Sequence, residues 1–203
     1  MAAATGDASM GKGRLEAFSD GVLAIIITIM VLELKVPHGA DLAAITPLMP
    51  NFLSYVLSFI YVGIYWNNHH HLLHAARGVS GSVLWANLNL LFWLSLFPVT
   101  TGWMGENHFA PLPSAAYGFV LLMAAIAYYI LQKTIIHADG SNSMLRRAVG
   151  IDWKGKLSPF LYATAIALSF IAHWLAQALY VLVALLWLVP DRRIERVIHP
   201  PEA

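Results

Sequence analysis

Long uninterrupted apolar blocks constrain this chain more than any other feature. A membrane-crossing helix needs about 20 predominantly apolar residues to span a hydrocarbon core of about 30 Å. Four segments meet that length, at roughly 17–36, 47–72, 83–104 and 114–136. Turn chemistry separates them: Pro37-His38-Gly39, then Arg77-Gly78-Val79-Ser80-Gly81, then the stretch from Gly105 to Pro113. A polar stretch from His137 to Lys156 follows the fourth. Composition agrees, since 59% of the residues are hydrophobic and 11% charged, against about 25% charged in an ordinary soluble domain. The expectation is an all-α, polytopic membrane protein.

The fifth apolar block, Leu157 to Pro190, is too long for one span. As a straight helix it would measure about 51 Å at about 1.5 Å per residue, beyond what tilt absorbs. His173 and Trp174 sit near its middle, a pair suited to the membrane interface. We read two short spans joined by a tight turn, hence six transmembrane helices. Charge placement tests the count. Six spans put both termini on one side, with Lys12, Arg14, Arg77, Lys133, Arg146, Arg147, Lys154, Lys156, Arg192, Arg193 and Arg196. Only Lys35 falls on the other. Such a bias makes the basic side, and with it both termini, cytoplasmic. Residues 1–13 read as a disordered lead, 14–193 as the membrane domain and 194–203 as a cytoplasmic tail. The chain shows no internal repeat.

Several chemistries are excluded. The chain has no cysteine, so disulfides, thiol nucleophiles, iron–sulfur clusters and Cys-based zinc sites are absent. A net charge of +1 gives no basic surface for nucleic acid. No phosphate-binding glycine loop, dinucleotide fingerprint or HExxH helix occurs. The TVGYG carbonyl filter is missing as well, since Tyr117-Gly118 has the wrong neighbours.

The first helix carries the most information. Its polar groups cluster at the ends, with Arg14, Ser19 and Asp20 at one and Glu33 and Lys35 at the other. A carboxylate at the bilayer centre costs about 2.5–3.5 kcal/mol on insertion scales, so Asp20 at the boundary is expected to face a partner. Helix capping by Ser19 and Asp20 is the simpler alternative. Gly21, Ile25, Thr28 and Leu32 fall on one stripe at i, i+4, i+7 and i+11. Copies meeting on an axis would turn that stripe into an apolar ring with one hydroxyl layer, and hydrophobic constrictions do gate pores. Equally, the helix can pack in a bundle with Thr28 bonded to its own backbone.

The second helix ends in Trp66-Asn67-Asn68-His69-His70-His71-Leu72-Leu73-His74. His70 and His74, one turn apart, could share a metal, and a facing histidine could complete a haem site. Histidines at a membrane interface more often bond helices together. In the third helix Asn87 and Asn89 each need a bond to another helix, and one of them is expected to serve the first helix's polar cluster. Pro98 should kink or end that helix. The alternatives are a secondary transporter, a metal or haem enzyme built on the histidines, and a non-conducting structural protein. A transporter calls for inverted repeats or broken midplane helices, and the sequence displays neither.

Arg14-x-x-x-Phe18-Ser19-Asp20, leading into an apolar helix with Thr28, resembles the transmembrane protein 175 family. Trp66-x-x-His69-His70, the run from Asn87 to Pro98, and Trp187-x-x-Pro190-Asp191-Arg192-Arg193 extend the likeness over nearly the whole chain. Animal members are endolysosomal potassium channels with two six-helix repeats. This chain has one repeat and so resembles the prokaryotic form, a homotetramer in the plasma membrane with its pore on the oligomer axis. The resemblance implies a passive, potassium-permeable channel with potassium favoured over sodium. It implies no enzyme activity and no cofactor or bound metal, only permeant K+. It places Ile25 at a hydrophobic constriction, Thr28 at a hydroxyl layer tied to selectivity, and Leu32 at a further apolar layer. Phe18, Ser19 and Asp20 would knit the first helix to the second and third, with Arg14, Trp66, His70 and Asn89 in that network.

Overall fold

The computed structural model describes residues 3–149 and 152–188, with side chains described for 11–141, 143–146 and 152–188. The eight α-helices among them are α1 (Ala3–Leu32), α2 (Met49–Ala75), α3 (Gly81–Ser95), α4 (Phe97–Glu106), α5 (Pro111–Asp139), the short α6 (Met144–Val149), α7 (Trp153–Ser169) and α8 (His173–Leu188). Four stretches are long and apolar enough to cross a membrane: Gly11–Leu32, Leu42–Ala75, Gly81–Glu106 and Pro111–Asp139. They coincide with the four blocks read from the sequence.

Two differences have local causes. Six helices are expected, whereas seven of ten or more residues occur among those described. The extra one arises because the Gly81–Glu106 stretch breaks at Leu96, where Pro98 takes a first-turn position of α4 and its missing N–H costs nothing. The second difference is at the start. Residues 1–13 read as a disordered lead, yet α1 is helical from Ala3, in keeping with the high helix propensity of its alanines. The expected tail, 194–203, lies outside the described residues, as do Pro190, Arg192, Arg193 and Arg196.

The fifth apolar block divides as expected. α7 ends at Ser169 and α8 begins at His173, with Phe170 and Ile171 exposed in the turn. At about 1.5 Å per residue these helices are about 26 and 24 Å long. The starts of α3 and α7 follow capping rules. Ser80 Oγ accepts from Val83 N at the head of α3. Asp152 Oδ1 accepts from Gly155 N at 2.9 Å at the head of α7.

α5 is central and packs against α3, α4, α7 and α8. α1 lies at one side, against α2, α3 and α4. Hydroxyl bonds tie the interior together. Ser58 Oγ meets Thr101 Oγ1 at 2.6 Å and donates to Tyr117 Oη at 3.0 Å. Tyr61 Oη donates to the Tyr180 carbonyl at 2.6 Å, and Tyr180 Oη donates to the Ser114 carbonyl at 3.0 Å. Such bonds hold membrane helices together where lipid offers no hydrophobic drive. Gly118 permits one of these contacts, because a Cβ there would overlap the Tyr180 hydroxyl.

Candidate functional site

α1 has two unlike faces. Leu15, Ser19, Leu23, Ile26 and Met30 are buried, and their steps of four, four, three and four put them on one side of the helix. On the other side Gly21, Ala24, Ile25, Thr28 and Leu32 are exposed. Ile25 is 59% and Leu32 76% exposed. The subunit therefore leaves uncovered the stripe read from the sequence as pore-facing. Thr28 Oγ1 donates to the Ala24 carbonyl at 2.9 Å. A hydroxyl has one donor and two lone pairs, so the bond uses its proton and leaves oxygen lone pairs for whatever faces the stripe. Backbone bonding by Thr28 and a place on the stripe are thus compatible.

Near the N-terminal part of the span, a relay of three buried groups fastens α1 to α2 and α3. His69 Nε2 lies 2.7 Å from Asn87 Oδ1. Asn87 Nδ2 donates to Ser19 Oγ at 3.0 Å, and Ser19 Oγ donates to the Leu15 carbonyl at 2.8 Å. Oδ1 can only accept, so the bonded ring nitrogen carries the proton. Beside the relay, Trp66 Nε1 donates to Asp20 Oδ1 at 3.0 Å. Lys12 Nζ adds a third tie, donating to the carbonyls of His74 at 2.9 Å and Ala76 at 3.0 Å.

Of the residues expected in the network, the structure bonds Ser19 to Asn87 and Asp20 to Trp66 and places the others differently. His69 occupies the bonded position assigned to His70, which instead stacks between Trp66 and His74. Asn87 is the bonded asparagine, while Asn89 is exposed. Helix phase is the reason. Asn87 shares a face with the buried Val83, Leu90 and Leu94, and Asn89 points about 200° away. Phe18 is 53% exposed, and Arg14 is exposed with no hydrogen bond or ion pair among the described residues. Lys12 was not anticipated. Its sequence signal is a lysine a few residues before the motif, able to reach the uncapped carbonyls that end α2.

At the opposite end of α1, Lys35 Nζ pairs with Glu106 Oε1 at 2.8 Å. Glu33 lies beside Gly102. Partial burial, and then the neighbouring Glu106 carboxylate, hold the Glu33 carboxyl above the usual carboxylate range. A cleft of ≈ 430 Å³ opens here between α1, α2 and α4, with Glu33, Asn51, Thr101 and Glu106 on its wall.

A family model described as endosomal/lysosomal potassium channel TMEM175 matches residues 14–98, the stretch that holds α1, the relay and the break before Pro98. A protein of Chryseobacterium sp. (strain P1-3), named a potassium channel, is 59% identical over 187 residues, which is 92% of this chain and 97% of that protein. A second, from Chamaesiphon minutus and also named a potassium channel, is 31% identical over 179 residues, covering 81% of this chain and 87% of its own. Among solved structures, a crystal structure described as a lysosomal potassium-selective channel TMEM175 homolog from Chamaesiphon minutus superposes with a TM-score of 0.78. It is 30% identical, over 89% of this chain and 97% of that one.

Proposed function

Because the chain belongs to the TMEM175 family, a family of ion channels and not of enzymes, we propose that this multi-pass membrane protein is one subunit of a homotetrameric, passive, potassium-permeable channel. Four copies of α1 surround the axis with their uncovered stripes inward. Ile25 forms the narrowest ring, Thr28 offers oxygen contacts one turn on, and Leu32 forms a second apolar layer. Potassium is favoured over sodium because a large, weakly hydrated ion loses less on partial dehydration at an apolar ring. The one observation that carries this reading is the bare stripe on α1, an apolar face with a single acceptor hydroxyl that its own subunit leaves open.

The relay of His69, Asn87 and Ser19 and the bond from Trp66 to Asp20 hold α1 at a fixed rotation. A twist of about half a turn would exchange the stripe for the buried face. Six spans follow if α7 and α8 cross as a helical hairpin, a reading the turn at 170–172 supports. Eleven basic residues against one then put both termini in the cytoplasm of a prokaryotic plasma membrane. The channel works without a cofactor.

The test is ion flux into proteoliposomes of the purified protein, potassium against sodium, with Ile25→Asn alongside. Passive flux that favours potassium, and loses that preference in the variant, supports channel and constriction together. Intact tetramers without flux would overturn the reading, and so would countertransport that saturates with substrate.

A further inference from the structure

α2, α5, α7 and α8 enclose a cavity of ≈ 40 Å³, away from the bare stripe of α1. Tyr61, Tyr65, Tyr128, Gln132, Tyr162 and Trp187 are on its wall. One water takes up about 10–15 Å³ of such space, so there is room for about three water-sized groups. Its surface is mostly apolar, and five tyrosines and a tryptophan contribute to it.

Much of the polar lining is bonded to the protein itself. Tyr61 Oη donates to the Tyr180 carbonyl at 2.6 Å. Tyr128 Oη donates to the Asn68 carbonyl at 3.3 Å. Trp187 Nε1 donates to Ser158 Oγ at 2.8 Å. Asp152, at the edge, is engaged as the cap of α7.

Two groups are not. Gln132 is 4% exposed and Tyr65 8% exposed, and neither the amide nor the hydroxyl has a hydrogen-bond partner among the described residues. No described side-chain nitrogen or oxygen is both sealed off and unbonded. Both groups must therefore touch open space, and the space they border is this cavity. Buried polar groups are nearly always satisfied, so a partner belongs there.

The chemistry of that partner follows from the two groups. A primary amide and a phenol each carry a donor and an acceptor and no charge. Rings around them suit an apolar body, and a few convergent polar groups on an apolar wall are the usual composition of a small-molecule site. The two unbonded groups are themselves uncharged, so they match a neutral polar group and not an ion. We propose that the cavity is a binding site for a small neutral amphiphile, an alcohol or primary amide of about four heavy atoms, whose polar group exchanges hydrogen bonds with Gln132 and Tyr65.

The probe is 2-fluoroethanol, titrated onto the detergent-solubilised full chain and followed by fluorine NMR, with 1,2-difluoroethane as a body of equal size without the hydroxyl. Binding should saturate for the alcohol and be much weaker for the difluoride. Gln132→Leu should weaken the alcohol about ten-fold or more, and Tyr65→Phe, which removes only one hydroxyl, by less. Non-saturable signals, or equal binding in wild type and a folded Tyr65→Phe and Gln132→Leu, would mean partition into detergent and overturn the proposal. So would a high-resolution map, recorded with the alcohol present, that shows only waters in the cavity.

Discussion

α1 and α5 are the two longest helices, of 30 and 29 residues, and both read as apolar spans, yet the subunit treats them in opposite ways. α5 has neighbours on several sides and buries Tyr117, Gly118, Leu121, Ala124, Leu131 and Ile135. Small residues at Ser114, Gly118, Ala124 and Ala127 let other helices come close. α1 buries one narrow strip and leaves branched aliphatic side chains on the rest. In water such a bare strip would mark a binding face. In a membrane, apolarity no longer separates inside from outside, and the useful signal is where small and hydrogen-bonding residues fall. α5 is built to be packed around within its subunit, and α1 to be completed by other copies.

The largest effect expected from this contrast is on α5. Gly118→Leu drives a side chain into the Tyr180 hydroxyl and should cost about 3 kcal/mol. Size-exclusion and thermal unfolding in detergent would show loss of folded subunit. Recovery of a normally stable protein would mean that α5 is less tightly enclosed than its contacts state.

Next comes the fastening of α1. Asn87→Leu strands the His69 ring and leaves Ser19 only its bond to the Leu15 carbonyl, at about 1–3 kcal/mol, while Asn89→Leu, on the exposed face, should stay within about 0.5 kcal/mol. Equal losses at the two positions would break the distinction between the faces of α3. On the bare stripe itself, Thr28→Val should change unfolding by no more than about 0.5 kcal/mol and yet alter the ratio of potassium to sodium flux. A stability loss without a flux change would place Thr28 in packing and not in the pore.

The smallest effect concerns the far end of α1. Glu33 holds its proton more tightly folded than unfolded, from an ordinary value of 4.5. The folded state therefore binds more protons as pH rises past that value, and stability declines through the window up to the raised folded value. Glu33→Gln should remove this decline. Its advantage over wild type should appear above about pH 4.5 and vanish below it. Unfolding curves of the two proteins that stay parallel across pH 4–7 would contradict the placement of Glu33 against Glu106.

Much of the architecture is legible in the sequence because span length, proline and glycine act locally. The four long blocks, the break before Pro98, and the division of the last block near His173 all follow from such signals. The pairing of polar residues is less legible. Asn89 has Trp85 and Phe92 at helical spacing just as Asn87 has Val83 and Leu90, so each asparagine sits on an apolar face and periodicity cannot rank them. The same holds for His69 against His70. Lys12 escaped notice because its partners are backbone carbonyls, which no side-chain motif records. Gln132 went unremarked for a further reason: a glutamine late in a span reads as an interface residue until the helices around it are known.

The absence of cysteine allows the central claim to be tested against no background. Single cysteines would be placed along α1, and potassium flux measured before and after a water-soluble methanethiosulfonate reagent. The account predicts inhibition at Gly21, Ile25, Thr28 and Leu32, with Leu23, Ile26 and Met30 unaffected. Inhibition at the buried positions, or none along the stripe in a conducting protein, would show that ions do not pass along this face of α1.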